Sequence, residues 1–248
     1  KRTFYVFPNL RDLKKLWQPV YARHRHTSKV EAASGGNNSS FNTLKEYKEN
    51  TPAKFIAWKR YFALGVPLVK SFNSFSRSGA HVYLDLRTKV SRNERVLNGE
   101  DCSVEIATAL IRYFCKMNIP VVFRAYGERE YYFSNTGAMS FDDFYAATIH
   151  FYFSPHAPSP ARMYNLNAYN IPPGSSVLFI THMPDAELLK IAGDPGSSIH
   201  ENYTIYTRAG LTSSEENGIA KTVRELPRSS ETIRAVDNSS TIIKDLAL

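Results

Sequence analysis

His81-Val82-Tyr83-Leu84-Asp85-Leu86-Arg87-Thr88-Lys89 is the stretch on which the reading of this chain turns. Its first six residues form a compact apolar run interrupted by one carboxylate, and its end is a cationic tip. A run of this length without polar alternation is the pattern of a strand buried on both faces. Downstream, Val104 to Met117 puts Ala107, Leu110, Ile111 and Phe114 on one helical face. Ser103 is the expected N-cap of that helix, with Glu105 in its first turn. Pro120-Val121-Val122-Phe123-Arg124-Ala125 then reads as a second buried strand, closed by Gly127.

The same alternation continues to the C-terminus. Ser140 to Phe153 reads as a helix, with Ser140 and Asp143 spaced as a capping box. Ser176 to Thr181 is a third apolar strand, and Asp185 to Ala192 a short helix stopped by Gly193. Tyr203 to Tyr206 and Thr232 to Val236 read as further strands. Gly218 to Leu226 is weakly helical, and Thr241 to Leu248 is a short terminal helix. Strands alternating with helices predict an α/β fold with a doubly wound, mostly parallel sheet. Such sheets bind ligands outside the C-terminal ends of their strands. The candidates there are Asp85, Arg87 and Lys89 after the first strand, Gly127 and Glu128 after the second, and His182 and Asp185 after the third.

Residues 1–75 read differently, as an N-terminal extension of strands and loops packed on a main domain spanning 76–248. Thr3 to Phe7 reads as a short strand and Asn9 to Trp17 as one or two helical turns. Ser34-Gly35-Gly36-Asn37-Asn38-Ser39-Ser40 has the composition of a flexible loop. Phe55 to Trp58 and Pro67 to Phe72 are apolar segments joined through a turn at Gly65.

Composition narrows the function classes. The chain has 248 residues, 43% of them hydrophobic, and 31 basic against 23 acidic side chains give a formal charge of +8. That excess is compatible with nucleic acid, an anionic membrane surface or an acidic protein. The basic residues are scattered, without the basic stripe or motif of a nucleic-acid module, so no nucleic-acid partner is expected. Cys102 and Cys115 form no C-x-x-C pair, which argues against a disulfide framework or a zinc site. Cys115, on the apolar helix face, reads as core. His24 and His26 have no Cys or acidic companion at ligand spacing and read as exposed imidazoles. Phosphate loop, nucleophile elbow, dinucleotide fingerprint and H-E-x-x-H are all missing, and a non-enzymatic protein is expected. The chain opens on Lys1 and shows no apolar run of membrane-spanning length, which leads us to expect a piece of a larger protein.

Glu46-Tyr47-Lys48-Glu49-Asn50-Thr51-Pro52-Ala53-Lys54-Phe55-Ile56-Ala57-Trp58-Lys59 carries a more specific signal, followed at fixed spacing by Ala63, Gly65, Leu68, Val69, Lys70 and Phe72. With the strand ending at Asp85 and the helix-strand pair from Val104 to Ala125, it resembles a bacterial family with a von Willebrand factor A-like domain, known as domain of unknown function 58. The resemblance rests on Tyr47, Lys54, Ile56, Trp58, Lys59 and Lys70, taken as mainly structural. Trp58 and Tyr47 read as anchors for the extension, a recognition surface being the alternative. Asn50-Thr51 stand where the family has Gly-Asp, and Lys54 where it has Arg, so the chain reads as a divergent member.

The resemblance implies a von Willebrand A-like (Rossmann-like) sheet. It also implies the place of a metal-ion-dependent adhesion site, in which an Asp, two hydroxyl residues and later ligands hold a hard divalent cation. Here the two hydroxyl positions hold Arg87 and Lys89, and His182 follows Thr181 where an Asp is expected. No metal and no cofactor are therefore expected, and Asp85 is expected to pair with a basic neighbour. The resemblance further implies a protein-interaction or scaffold module, partnered by a MoxR-type ATPase. It would sit at the cytoplasmic face of a bacterial membrane, its anchor lying outside this chain. The alternatives are a metal-dependent adhesion-type binder with a non-standard ligand set around Asp85, and an unrecognised hydrolase or nucleic-acid-binding enzyme.

Overall fold

The computed structural model describes residues 6–14, 39–46, 58, 65, 68–74, 79–91, 93–137, 139–193, 200–227 and 229–246. The chain falls into two compact units, residues 25–77 and residues 1–24 together with 78–248.

Unit 25–77 contains an antiparallel pair, β1 (Ser39–Glu46) and β2 (Leu68–Ser74). Ser39 lies opposite Ser74 and Glu46 opposite Leu68, with an irregularity between Phe41 and Thr43. The apolar segment read at Pro67 to Phe72 falls largely in β2. Its partner is β1, which begins at Ser39 inside the stretch expected to be a loop. Ser and Asn are poor strand formers in isolation, and here a partner ladder supplies what propensity does not. Trp58 is helical and half-exposed. Tyr47, Lys54, Ile56 and Lys59 lie outside the described residues, as do His24 and His26, and Lys70 lies in β2.

The α/β unit runs β3 (Ala80–Asp85), α1 (Glu94–Lys116), β4 (Val121–Tyr126), β5 (Glu130–Ser134), α2 (Phe141–Ala147), α3 (Pro160–Asn167), β6 (Ser176–Thr181), α4 (Ala186–Gly193), β7 (Glu201–Thr207), α5 (Ser213–Arg224), α6 (Ser229–Thr232), β8 (Ile233–Val236) and α7 (Ile242–Leu246). The six strands pair in the order β5-β4-β3-β6-β7-β8. Every pairing is parallel except that of edge strand β5 with β4. This is the expected Rossmann-like, doubly wound sheet.

Strand alternation divides the core into two faces. Ala80, Val82 and Leu84 of β3 join Leu178 and Ile180 of β6 in a cluster with α1. Tyr83, Val177 and Phe179 point the other way, into a cluster with Ala161 and Tyr164 of α3 and Leu188 of α4. Period-two geometry therefore puts Asp85 on the side of Tyr83, and Thr181 on the side of Phe179. Both groups end up on the same side of the sheet.

Several boundaries differ from the sequence expectation. Helix α1 begins at Glu94, capped by the Asn93 side chain, which accepts from Val96 N at 3.0 Å. Ser103 lies inside it, its hydroxyl donating to the Glu100 carbonyl at 2.7 Å. The first turns of α1 are mostly polar, so their periodicity is weak in sequence. The Ser140–Asp143 capping box is present, but α2 ends at Ala147 and gives way to a 3-10 turn over Thr148–His150. Neither β5 nor α3 was expected. Residues 9–14 carry no helix; they form a strap held by side chains. Asn9 donates to Glu105 at 3.0 Å, Lys116 to Asp12 at 2.6 Å, and the Tyr145 hydroxyl to the Pro8 carbonyl at 2.9 Å. Val6 and Phe7, within the strand expected at Thr3 to Phe7, have no regular structure.

Candidate functional site

Strands β3 and β6 lie side by side at the centre of the sheet, and the chain leaves them for opposite faces, toward α1 and α4 respectively. Divergence of this kind opens a crevice beyond the strand ends, the usual ligand position of a doubly wound sheet. Asp85 is the last residue of β3 and Thr181 the last of β6, and both are fully buried.

The occupant of this crevice is the side chain of Arg87. Its Nε donates to Asp85 Oδ1 at 2.9 Å and its Nη2 to Asp85 Oδ2 at 2.7 Å. Nη2 also reaches the Met183 carbonyl at 3.0 Å, and Nη1 reaches Asp185 Oδ2 at 2.8 Å. The acceptors are held independently of the guanidinium. The Thr181 hydroxyl donates to Asp85 Oδ2 at 2.6 Å, and the Arg87 backbone N–H donates to Asp85 Oδ1 at 3.0 Å. Asp185 accepts from Leu188 N at 2.8 Å, a capping contact at the start of α4. Burial works against the charge on Arg87, but hydrogen bonds and charge from Asp85 and Asp185 outweigh it and hold the guanidinium above its ordinary pKa. Planar, bidentate pairing of this kind is the strongest geometry available to an arginine.

The other expected site residues do not join this cluster. Lys89 pairs with Glu215 at 2.6 Å, on the first turn of α5. Glu215 also closes a capping box with Thr212, and the Lys89 hydrogen bond followed by the Thr212 backbone bond lowers its pKa to about 2. His182 is buried against Phe153, ring centroids 5.5 Å apart and nearly perpendicular, and its Cβ sits near Gly99 of α1. Among the described residues its ring nitrogens make no hydrogen bond of normal geometry, and the Arg87 backbone lies near enough to favour the charged ring weakly, as a hydrogen-bond partner would. Burial lowers its pKa to about 4, so the ring is neutral at pH 7. Thr88, between the two cations, pairs with Glu100, and both are buried. Gly127 packs against the Tyr152 carbonyl, where a Cβ would lie 2.6 Å from the oxygen.

Sequence reasoning thus named three members of the cluster, Asp85, Arg87 and Asp185, and missed Thr181 and Met183. Thr181 was legible in principle: a hydroxyl at a strand end falls on the same face as Asp85 once β6 is placed beside β3. Met183 contributes a backbone carbonyl, which no side-chain pattern can announce.

A divalent cation of the kind implied by the adhesion-site resemblance does not fit these residues. Magnesium needs near-octahedral oxygen ligation at roughly 2.0–2.1 Å. Both Asp85 oxygens and Asp185 Oδ2 are committed to a guanidinium, position 87 brings a cation to the crevice instead of an oxygen, and Lys89 turns away to Glu215. Among the described residues no three His, Cys, Asp or Glu side chains are grouped to hold a metal. In comparison with known proteins, no family model matches this chain and no curated protein matches it in sequence.

Proposed function

We propose that this chain is a protein-interaction module that works through its outer surfaces rather than through a ligand-binding crevice. The observation that supports this reading is the Arg87 side chain lying across Asp85 and Asp185 in the place where doubly wound sheets hold ligands. A crevice whose carboxylates are neutralised internally offers neither an open metal position nor a free general base. The degenerate adhesion site of the family resemblance is chemically consistent with it. That resemblance makes a MoxR-type ATPase the partner and the cytoplasmic face of a bacterial membrane the location. No described helix is long and apolar enough to cross a membrane.

The test is affinity capture, with the chain as bait and a Lys89→Ala, Glu215→Ala double variant beside it. Specific recovery of a MoxR-type ATPase, reproduced with the purified ATPase, is the expected result. Equal recovery by the variant moves the contact away from the sheet edge. Failure of the purified ATPase to bind removes the partner assignment.

A further inference from the structure

We propose that the crevice at the centre of the sheet is a guanidinium-binding site, and that Arg87 is its built-in occupant. Three acceptor groups define it: both oxygens of Asp85, Oδ2 of Asp185, and the Met183 carbonyl. They lie in the forked arrangement that a planar guanidinium matches, with contacts of 2.7 to 3.0 Å to three different nitrogens. A point charge such as an ammonium reaches only part of this set at once.

What makes this a site, rather than a side chain settled on whatever carboxylate was near, is that its walls do not depend on Arg87's head group. Asp85 is held by the Thr181 hydroxyl and by a backbone N–H. Asp185 is held by the first turn of α4, and the N–H of Met183 donates to Thr181 Oγ1 at 2.9 Å, which fixes the turn that carries its carbonyl. Removal of the guanidinium leaves two partly or fully buried carboxylates without a counter-charge, in a frame that strands β3 and β6 maintain. A small guanidinium from solution is the species such a frame takes up. This assignment is independent of any protein partner, because it concerns the crevice and not the outer surface.

The experiment is chemical rescue. The Arg87→Ala chain is unfolded by heat in the presence of millimolar methylguanidinium, methylammonium or Mn²⁺ at equal ionic strength. The expected result is a lowered midpoint that methylguanidinium raises in a saturating manner and methylammonium does not. The wild-type midpoint should not distinguish the two organic cations. Adding Asp185→Asn should weaken the rescue roughly tenfold or more, as expected for loss of a charge-assisted hydrogen bond. Rescue by Mn²⁺ alone, or by methylammonium as well as methylguanidinium, overturns the proposal, as does no rescue by any of them. Should Arg87→Ala fail to fold, nitrogen-15 NMR of the wild type decides. A slowly exchanging Arg87 Nε–H at neutral pH supports the site, and exchange as fast as a solvent-exposed arginine overturns it.

Discussion

Arg87 and Asp85, two residues apart, face each other in a forked ion pair, with Nε 2.9 Å from Oδ1 and Nη2 2.7 Å from Oδ2. Asp85 is fully buried, and the other arm of Arg87 continues to Asp185. The pair therefore ties the exit of β3 to the first turn of α4. Removing one partner of such a pair leaves an uncompensated charge in a desolvated place, which costs more than the pair contributes when intact.

Asp85→Ala is accordingly expected to lower stability by about 3–5 kcal/mol. In urea titrations the midpoint should fall with the slope unchanged. The double variant Asp85→Leu, Arg87→Met should lose much less than the sum of its single variants, because it removes the fully buried charge together with its partner and leaves only the part-exposed Asp185 unpaired. Strict additivity would show that the two side chains are not coupled.

Acid should destabilise the protein through His182. Its folded pKa is about 4, lowered mainly by burial from an ordinary 6.5. Between those values the unfolded chain binds the proton and the folded chain does not, so stability falls as pH drops from 6.5 toward 4 and levels below that. His81, also lowered to about 4 mainly by burial, acts in the same window. The expected slope is about 1.4 kcal/mol per pH unit for each ring that resists protonation. His182→Leu should flatten it measurably while costing little at pH 7, since among the described residues its ring nitrogens make no hydrogen bond of normal geometry. An unchanged slope in denaturation series across this range would contradict the assignment.

Gly99 and Gly210 allow α1 to approach the turn that follows β7. A Cβ at Gly99 would lie 2.8 Å from the Gly210 Cα, with backbone on both sides of the contact. Alanine is the better helix former by about 1 kcal/mol, yet here overpacking should win, costing about 1–3 kcal/mol. Gly99→Ala should therefore unfold at lower temperature, whereas Gly218→Ala in α5, where a Cβ meets nothing within 4 Å, should be neutral or stabilising.

The strap at residues 6–14 should loosen when Glu105 is changed. Asn9 and Arg11 both reach the Glu105 carboxylate, at 3.0 and 3.5 Å. Losing the shorter of these bonds costs about 1 kcal/mol of local closure. Trypsin should then cut Glu105→Ala after Arg11 several-fold faster than wild type, with cleavage elsewhere in the α/β unit unchanged.

Fold class was legible because buried parallel strands leave a strong mark. His81 to Leu86, Pro120 to Ala125 and Ser176 to Thr181 are apolar runs too short for helices, and all three are adjacent in the sheet. Elements with weak marks were missed or misplaced. The start of α1 is polar on most sides, edge strand β5 mixes Glu130 with three aromatics, and α3 is announced only by Ser159-Pro160. The strap has no periodicity of its own, since it is held by side chains reaching to α1 and α2.

Within the candidate site the same division applies. Local sequence alone determined that cations follow Asp85 at positions 87 and 89, and that Asp85 would want a basic neighbour. Arg87 is two residues away, near enough for spacing to point to it. Only the tertiary structure decided that Arg87 spans two strands, that Lys89 turns away to Glu215, and that His182 is buried and neutral. Thr181 and Asp185 lie 96 and 98 residues from their partners Asp85 and Arg87. Contacts of that range are created by the pairing of β3 with β6, and no pattern confined to one segment encodes which strand becomes the neighbour.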